Sequence, residues 1–212
     1  MPTTVPIFQT TVIGLTPLVV VLLIVLASTG VLLELIRRQT KQRVRFRLRD
    51  WAAANGLAYL RPGQSSMPKP MDELVAMGRS IVVRSHFADG RGVHLLQFEV
   101  DQNESFNVLI MRRETDNPRV GLRPTGAQQS LCDLFEMPSA PRQIPGIRFT
   151  ICGEDWLATR ELADGMARGL LPGDLSLVRT LRHLLIDFSS RPFDEIELTR
   201  VRSLATQMAS VV

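Results

Sequence analysis

Two cysteines among 212 residues cannot build a disulfide framework or a four-cysteine zinc site. Histidine is nearly as scarce, with three residues available for acid–base or metal chemistry. The chain has no Walker lysine motif, no G-x-S-x-G and no H-E-x-x-H. Gly90-Arg91-Gly92 lacks the third glycine and the strand-to-helix setting of a phosphate loop. Met1 to Thr11 contains no Lys or Arg, whereas a cleaved secretory signal opens on a basic segment. Disorder is excluded by composition, since 45% of residues are hydrophobic and only 22% charged.

What the chain does have is a sharp internal split. Val12 to Ile36 is a 25-residue run with one charge, Glu34. About 20 apolar residues in a helix span a bilayer core, so this run predicts a transmembrane helix. Glu34 and Arg38 stand at i, i+4 spacing, which predicts an interfacial ion pair rather than an intramembrane proton site. Ala27, Ser28 and Gly30 form a small-residue patch where a partner helix can approach closely.

Seven basic residues follow with no acid between them: Arg37, Arg38, Lys41, Arg43, Arg45, Arg47 and Arg49. The positive-inside rule puts them in the cytoplasm, and the expected placement is a single pass through the cell inner membrane with the N-terminus outside. The same cluster is expected to contact anionic lipid headgroups, at about 1 kcal/mol per basic residue. The overall balance is 25 basic against 21 acidic residues. Without the juxtamembrane cluster and Glu34, the remainder carries about −2, which argues against nucleic acid as a partner. The expected division is a short external N-terminus (1–11), a transmembrane helix (12–36), a basic juxtamembrane helix (37–55) and a cytoplasmic domain (56–212).

Within that domain, Asn55-Gly56 predicts a helix stop. The segment 57–60 reads as a short strand and 71–77 as a short helix. Runs 80–87, 93–100 and 105–112 read as a β meander, with Asp89-Gly90 marking a two-residue hairpin turn. Further strands are expected at 119–122, 147–152 and 183–188, and helices at 127–136, 154–170 and 194–210. The fold class is α+β: a transmembrane helix followed by a mostly antiparallel sheet with helices packed on one side.

No catalytic constellation emerges. A two-residue turn sets Ala88 opposite Arg91, so His86 and His94 are expected on opposite faces of the hairpin, unable to share an ion. His183 opens a later strand with no acidic cluster beside it. Cys132 and Cys152 are expected as small buried residues. No metal and no cofactor are expected. Asn103-Glu-Ser105 matches a glycosylation acceptor that a cytoplasmic location makes inert.

The apolar anchor, the basic helix running into RDWAAANGLAYL, the segment FADGRGVHLLQFEV and the later RFTICGEDWLATREL together resemble a loose group of bacterial single-pass membrane-anchored proteins with a cytoplasmic α+β domain. That resemblance implies the architecture and brings no activity or site residue with it. The anchor-then-domain plan is also similar to that of the H subunit of purple bacterial photosynthetic reaction centres, by architecture alone. The expected function is a non-catalytic accessory or scaffold subunit of a bacterial integral-membrane complex, for example photosynthetic or respiratory. The alternatives are a membrane-tethered enzyme acting on a lipid or small molecule, with His86, Glu99, Asp101 or Asp187 as candidates, and a sensor whose sheet edge binds a peptide.

Overall fold

A segment dominated by leucine, valine and isoleucine and then by arginines forms one continuous helix, α1 (Phe8–Ala54), of 47 residues. The structure, a computed structural model, describes residues 8–61, 67–113, 119–140, 147–153, 160 and 171–209, without the side chains of 8–18, Lys41 and Ala209. The chain divides into two compact units, 1–47 and 48–212. In the first, the described apolar side chains from Val19 to Ile36 are all exposed. Among the described residues this is one helix long and apolar enough to cross a membrane. Its end is made by Asn55, whose side-chain amide donates to the Trp51 carbonyl (2.8 Å), and by Gly56 in the left-handed region at φ 70°. The Leu57 N–H then closes back on the Ala52 carbonyl at 2.8 Å, a glycine-terminated helix end.

The second unit contains the strands β1 (Ala58–Tyr59), β2 (Ile81–Ala88), β3 (Val93–Val100), β4 (Glu104–Arg112), β5 (Val120–Pro124), β6 (Phe149–Gly153), β7 (Ser176–Arg179) and β8 (His183–Asp187). They form one sheet in the order β1-β2-β3-β4-β8-β7-β5-β6, and every neighbouring pair is antiparallel. Three further helices are α2 (Lys69–Ala76), α3 (Leu131–Leu134) and α4 (Glu195–Ala209). The α+β class, the long apolar helix and the antiparallel sheet are as the sequence leads one to expect.

The placement of helices is more specific than the expected single layer. Central strands bury both faces: Leu95, Leu109, Leu184 and Ile186 point one way, and Leu96, Ile110 and Leu185 the other. The first face packs against Leu198, Val201, Ala205 and Met208 of α4 and against Leu48 and Ala52 at the end of α1. The second is covered by Met71 and Leu74 of α2 and by Leu131 and Leu134 of α3. Helices therefore lie on both sides of the sheet, because the apolar runs of β3, β4 and β8 do not alternate with polar residues. Phe98 and Phe106, directly paired across β3 and β4, stack at 5.5 Å between ring centroids on the second face.

Two other expectations shift. The helix anticipated at 127–136 contracts to the single turn of α3, and β7 is a four-residue strand too short to announce itself by alternation. The anticipated helix at 154–170 lies outside the described residues, Arg160 excepted. At α4 the Asp194 carboxylate accepts the N–H groups of Ile196 (3.1 Å) and Glu197 (3.0 Å), an N-cap that the acidic start of this segment foreshadows.

Candidate functional site: a cationic cleft holding the histidines

The hairpin between β2 and β3 decides the site. Its connection is not a two-residue turn. Ala88 pairs with His94, leaving Asp89 to Val93 as the loop. The Asp89 carboxylate accepts the backbone N–H groups of Arg91 (2.7 Å) and Val93 (3.0 Å), which holds the wider loop shut. Gly90 and Gly92 both take positive φ, at 70° and 103°. At Gly92 a Cβ would lie 2.6 Å from the Arg112 Cβ, so the loop packs directly on that arginine.

The wider loop changes the parity of the pairing, which moves side chains to the opposite face. His86 and His94 therefore lie on the same face, with His86 Nε2 and His94 Nδ1 hydrogen-bonded at 3.0 Å. This overturns the expectation that the two rings point apart. His183 joins them: it pairs with Arg112 on β4, whose neighbour at i−2, Ile110, pairs with His94. All the histidines of the chain thus meet at one end of the sheet.

An open cleft of about 490 Å³ runs along this end. Lys69 from the start of α2, Arg91 from the hairpin loop, Arg112 from the end of β4 and Arg182 before β8 line it, together with His94 and His183. A second hollow of about 390 Å³ shares Lys69, Arg182 and His183 and adds Glu73 and Arg119, which are paired with each other. Burial, followed by the neighbouring His94, lowers the pKa of His86 to about 4. Burial also lowers His94, against the opposing pull of Asp89. His183 is lowered by burial and then by Arg112 and His94, with Glu73 opposing. At neutral pH the rings are uncharged, and the hydrogen bond between His86 and His94 has one neutral donor and one neutral acceptor.

The cleft is rich in donors and poor in groups for chemistry. Among the described residues, no group of three or more His, Cys, Asp and Glu side chains is placed to hold a metal ion. The other titratable candidates lie elsewhere and are occupied. Glu99 is held by two hydrogen bonds from Arg84, at 2.9 and 2.5 Å. Asp101 accepts the Ser80 N–H (2.9 Å) and Arg79 (3.1 Å), which in that order hold its pKa below the usual carboxylate value. Asp187 is buried, which raises its pKa, and its carboxylate accepts the Ser189 hydroxyl and N–H. It closes the turn after β8, beside a hollow of about 320 Å³ that also exposes Asp174 and Ser190. Cys132 and Cys152 are buried, their thiols facing the Leu177 and Thr150 carbonyls, and the neighbouring Cys152 together with burial pushes the Cys132 thiol up.

The residues singled out along the anchor fall as follows. Ser28 turns its hydroxyl back onto the Val25 carbonyl at 2.9 Å, and around Gly30 the space is open. Ala27 is exposed. Arg38 is bonded to Glu34 at 3.0 Å, the pairing their spacing indicated. Arg37, Arg43, Arg45 and Arg47 are exposed, and the Lys41 side chain lies outside the described residues. Arg49 belongs to the folded unit, with its guanidinium 4.4 Å from the centre of the Tyr59 ring.

Sequence reasoning missed Lys69, Arg112 and Arg182 because they come from distant segments with no common spacing. Arg91 carried the one legible signal, an arginine between two glycines.

No protein-family model matches the chain, and no curated protein matches it. Among solved structures, the mycobacterial trehalose monomycolate transport factor A, TtfA, is similar over 78% of this chain and 92% of that one, at 14% identity and a TM-score of 0.49. A likeness this distant brings neither a function nor a site to this chain.

Proposed function

We propose that this chain is a membrane-anchored, non-catalytic accessory subunit of an integral-membrane assembly. In this reading α1 crosses the inner membrane with its N-terminus outside and packs against a partner's helix, while the unit from residue 48 onward lies in the cytoplasm. The carrying observation is the exposure of α1: Val19 to Ile36 presents side chains such as Leu23 (60% exposed) and Ile24 (62%) on every side of the helix. Burying one large aliphatic side chain is worth about 1.5–3 kcal/mol, so the whole surface in water costs tens of kcal/mol. Hydrocarbon or another helix removes that cost. The arginines after Ile36 support the stated orientation and contact with anionic headgroups.

The enzyme alternative gains from the meeting of the histidines, yet among the described residues the cleft beside them is lined by no hydroxyl, thiol or carboxylate side chain. That composition favours binding over chemistry. The peptide-sensor alternative needs an open sheet edge. On β6, Ser139 bridges to Cys152, and the Ala140 and Gly153 amides bond across the same edge to the Ile151 and Pro138 carbonyls. At the other edge β1 covers the end of β2, and the uncovered part of β2 carries the bulge at Arg84.

The test is purification from native membranes in mild detergent, for the wild type and for Gly30→Leu. The expected result is a defined membrane-protein partner that is lost with Gly30→Leu. A lone monomer in both cases would overturn the reading. Membrane-impermeant maleimide on intact cells should label a Thr3→Cys variant and spare Arg200→Cys; the reverse pattern would refute the orientation.

A further inference from the structure

Several arginines on this folded unit are matched to acids. Arg79 pairs with Asp101, Arg84 with Glu99, Arg123 with Asp133, Arg191 with Asp174, and Arg200 with Glu197. The cleft gathers cations from three separate segments without such acids. Lys69, Arg91 and Arg112 have no ion pair among the described residues, and Arg182 lines the same space. Among the described residues, two acids beside it are committed: Asp89 to the backbone of its own loop and Glu73 to Arg119. Lys69, Arg91 and Arg112, drawn from separate segments, repel one another, and nothing in the core requires them to meet, since all three are exposed.

We propose that this cleft binds a phosphate-bearing ligand carrying at least two negative charges, gripped by Lys69, Arg91, Arg112 and Arg182. Guanidinium forks match phosphate oxygens in pairs, and lysine adds a mobile point charge. A single carboxylate would leave most of the charge of Lys69, Arg91 and Arg112 unanswered. The volume of about 490 Å³ admits more than a bare oxyanion, so the ligand carries a second phosphoryl group or an organic portion. Gly92 brings the loop backbone against Arg112, with the Arg112 N–H bonded to the Gly92 carbonyl at 2.9 Å. Neutral His94 and His183 complete the lining without adding to the repulsion. His86 is a positioning residue: its bond to His94 Nδ1 sets the ring and leaves His94 Nε2 as the nitrogen available to a ligand. The inference does not depend on α1 or on any partner.

The ligand chemistry has two sources, a lipid phosphomonoester headgroup and a soluble phosphate compound. Isothermal titration of the full chain in non-ionic detergent separates them, using dihexanoyl phosphatidic acid, inorganic pyrophosphate, and acetate at matched ionic strength. Saturable binding of either phosphate probe, well above acetate, is the expected result. Binding of pyrophosphate alone identifies a soluble ligand, and tighter binding of the phosphatidic acid identifies a headgroup. Lys69→Gln and Arg112→Gln should each raise Kd about tenfold, while Arg200→Gln, a cation of α4 outside the cleft, leaves it unchanged. Thermal unfolding of each variant confirms that the fold persists. The proposal fails if neither phosphate probe exceeds acetate, or if the cleft variants behave like Arg200→Gln.

Discussion

His86 Nε2 and His94 Nδ1 share a hydrogen bond of 3.0 Å across β2 and β3, two residues out of direct opposition. His86 is 2% exposed, and its pKa falls from 6.5 to about 4, through burial first and His94 second. Burial also lowers His94, with Asp89 opposing, and burial and then Arg112 lower His183. In the unfolded chain the ring takes up its proton near 6.5, whereas in the folded chain it resists until about 4. Stability is therefore full above the unfolded value and lost as pH falls through that window. From the His86 shift alone, unfolding free energy should drop by about 2 kcal/mol between pH 7 and pH 5. Urea unfolding at the two pH values checks this, and His86→Leu should shrink the drop. An unchanged drop in that variant would place its origin elsewhere.

Gly121 of β5 faces Cys132 of α3, where an added Cβ would lie 2.6 Å from the thiol sulfur and 3.3 Å from the Leu177 carbonyl. Gly121→Ala should lower stability by about 1–3 kcal/mol through overpacking. Adding Cys132→Ala removes the sulfur, so the double variant should lose less than the sum of the two single changes. Melting curves of all four proteins give the coupling, and strict additivity would show that the clash is with the backbone.

Trp51, near the end of α1, donates its indole N–H to the Thr199 hydroxyl of α4 at 2.9 Å. This bond joins segments 148 residues apart in sequence. Trp51→Phe should cost about 1 kcal/mol, the loss of one hydrogen bond with the ring retained. Trp51→Ala should cost several times more, and a thermal unfolding series reads both.

Arg191 ties Asp174, at 2.6 and 2.7 Å, to Glu197 at 3.0 Å, and its carbonyl accepts the Asn107 side-chain amide. The guanidinium holds the Asp174 pKa below its usual 3.8, so this contribution survives to lower pH than an unpaired aspartate would allow. It is lost only as pH falls through that depressed value. Lysine cannot supply the same fork, so Arg191→Lys should cost about 1–2 kcal/mol at pH 7. The gap from wild type should narrow in strong acid, as guanidinium titrations at the two pH values will show.

Much of the fold was legible in local pattern. Val93 to Val100 and the span of α4 follow directly from apolar spacing and from Asp194 at a helix start. The site was not legible, and a single loop explains why. Asp89-Gly90 suggests a tight turn, but Asp89 also caps the N–H of Val93 and Gly92 adds another residue with positive φ. A change of parity there moves His94 to the other face and turns an uninformative pair into neighbours. The cationic residues of the cleft escaped for a different reason: Lys69, Arg112 and Arg182 are brought together by sheet order and by α2, which no short-range spacing encodes.

The sealing of β6 by residues 138–140, and the charged bulge on β2, bear on life at a crowded surface. Tethering confines copies of a chain to two dimensions, where encounters are frequent. A sheet with raw borders would zip into ribbons under those conditions. Among the described residues both borders are dressed, which disfavours edge-to-edge pairing between neighbouring copies.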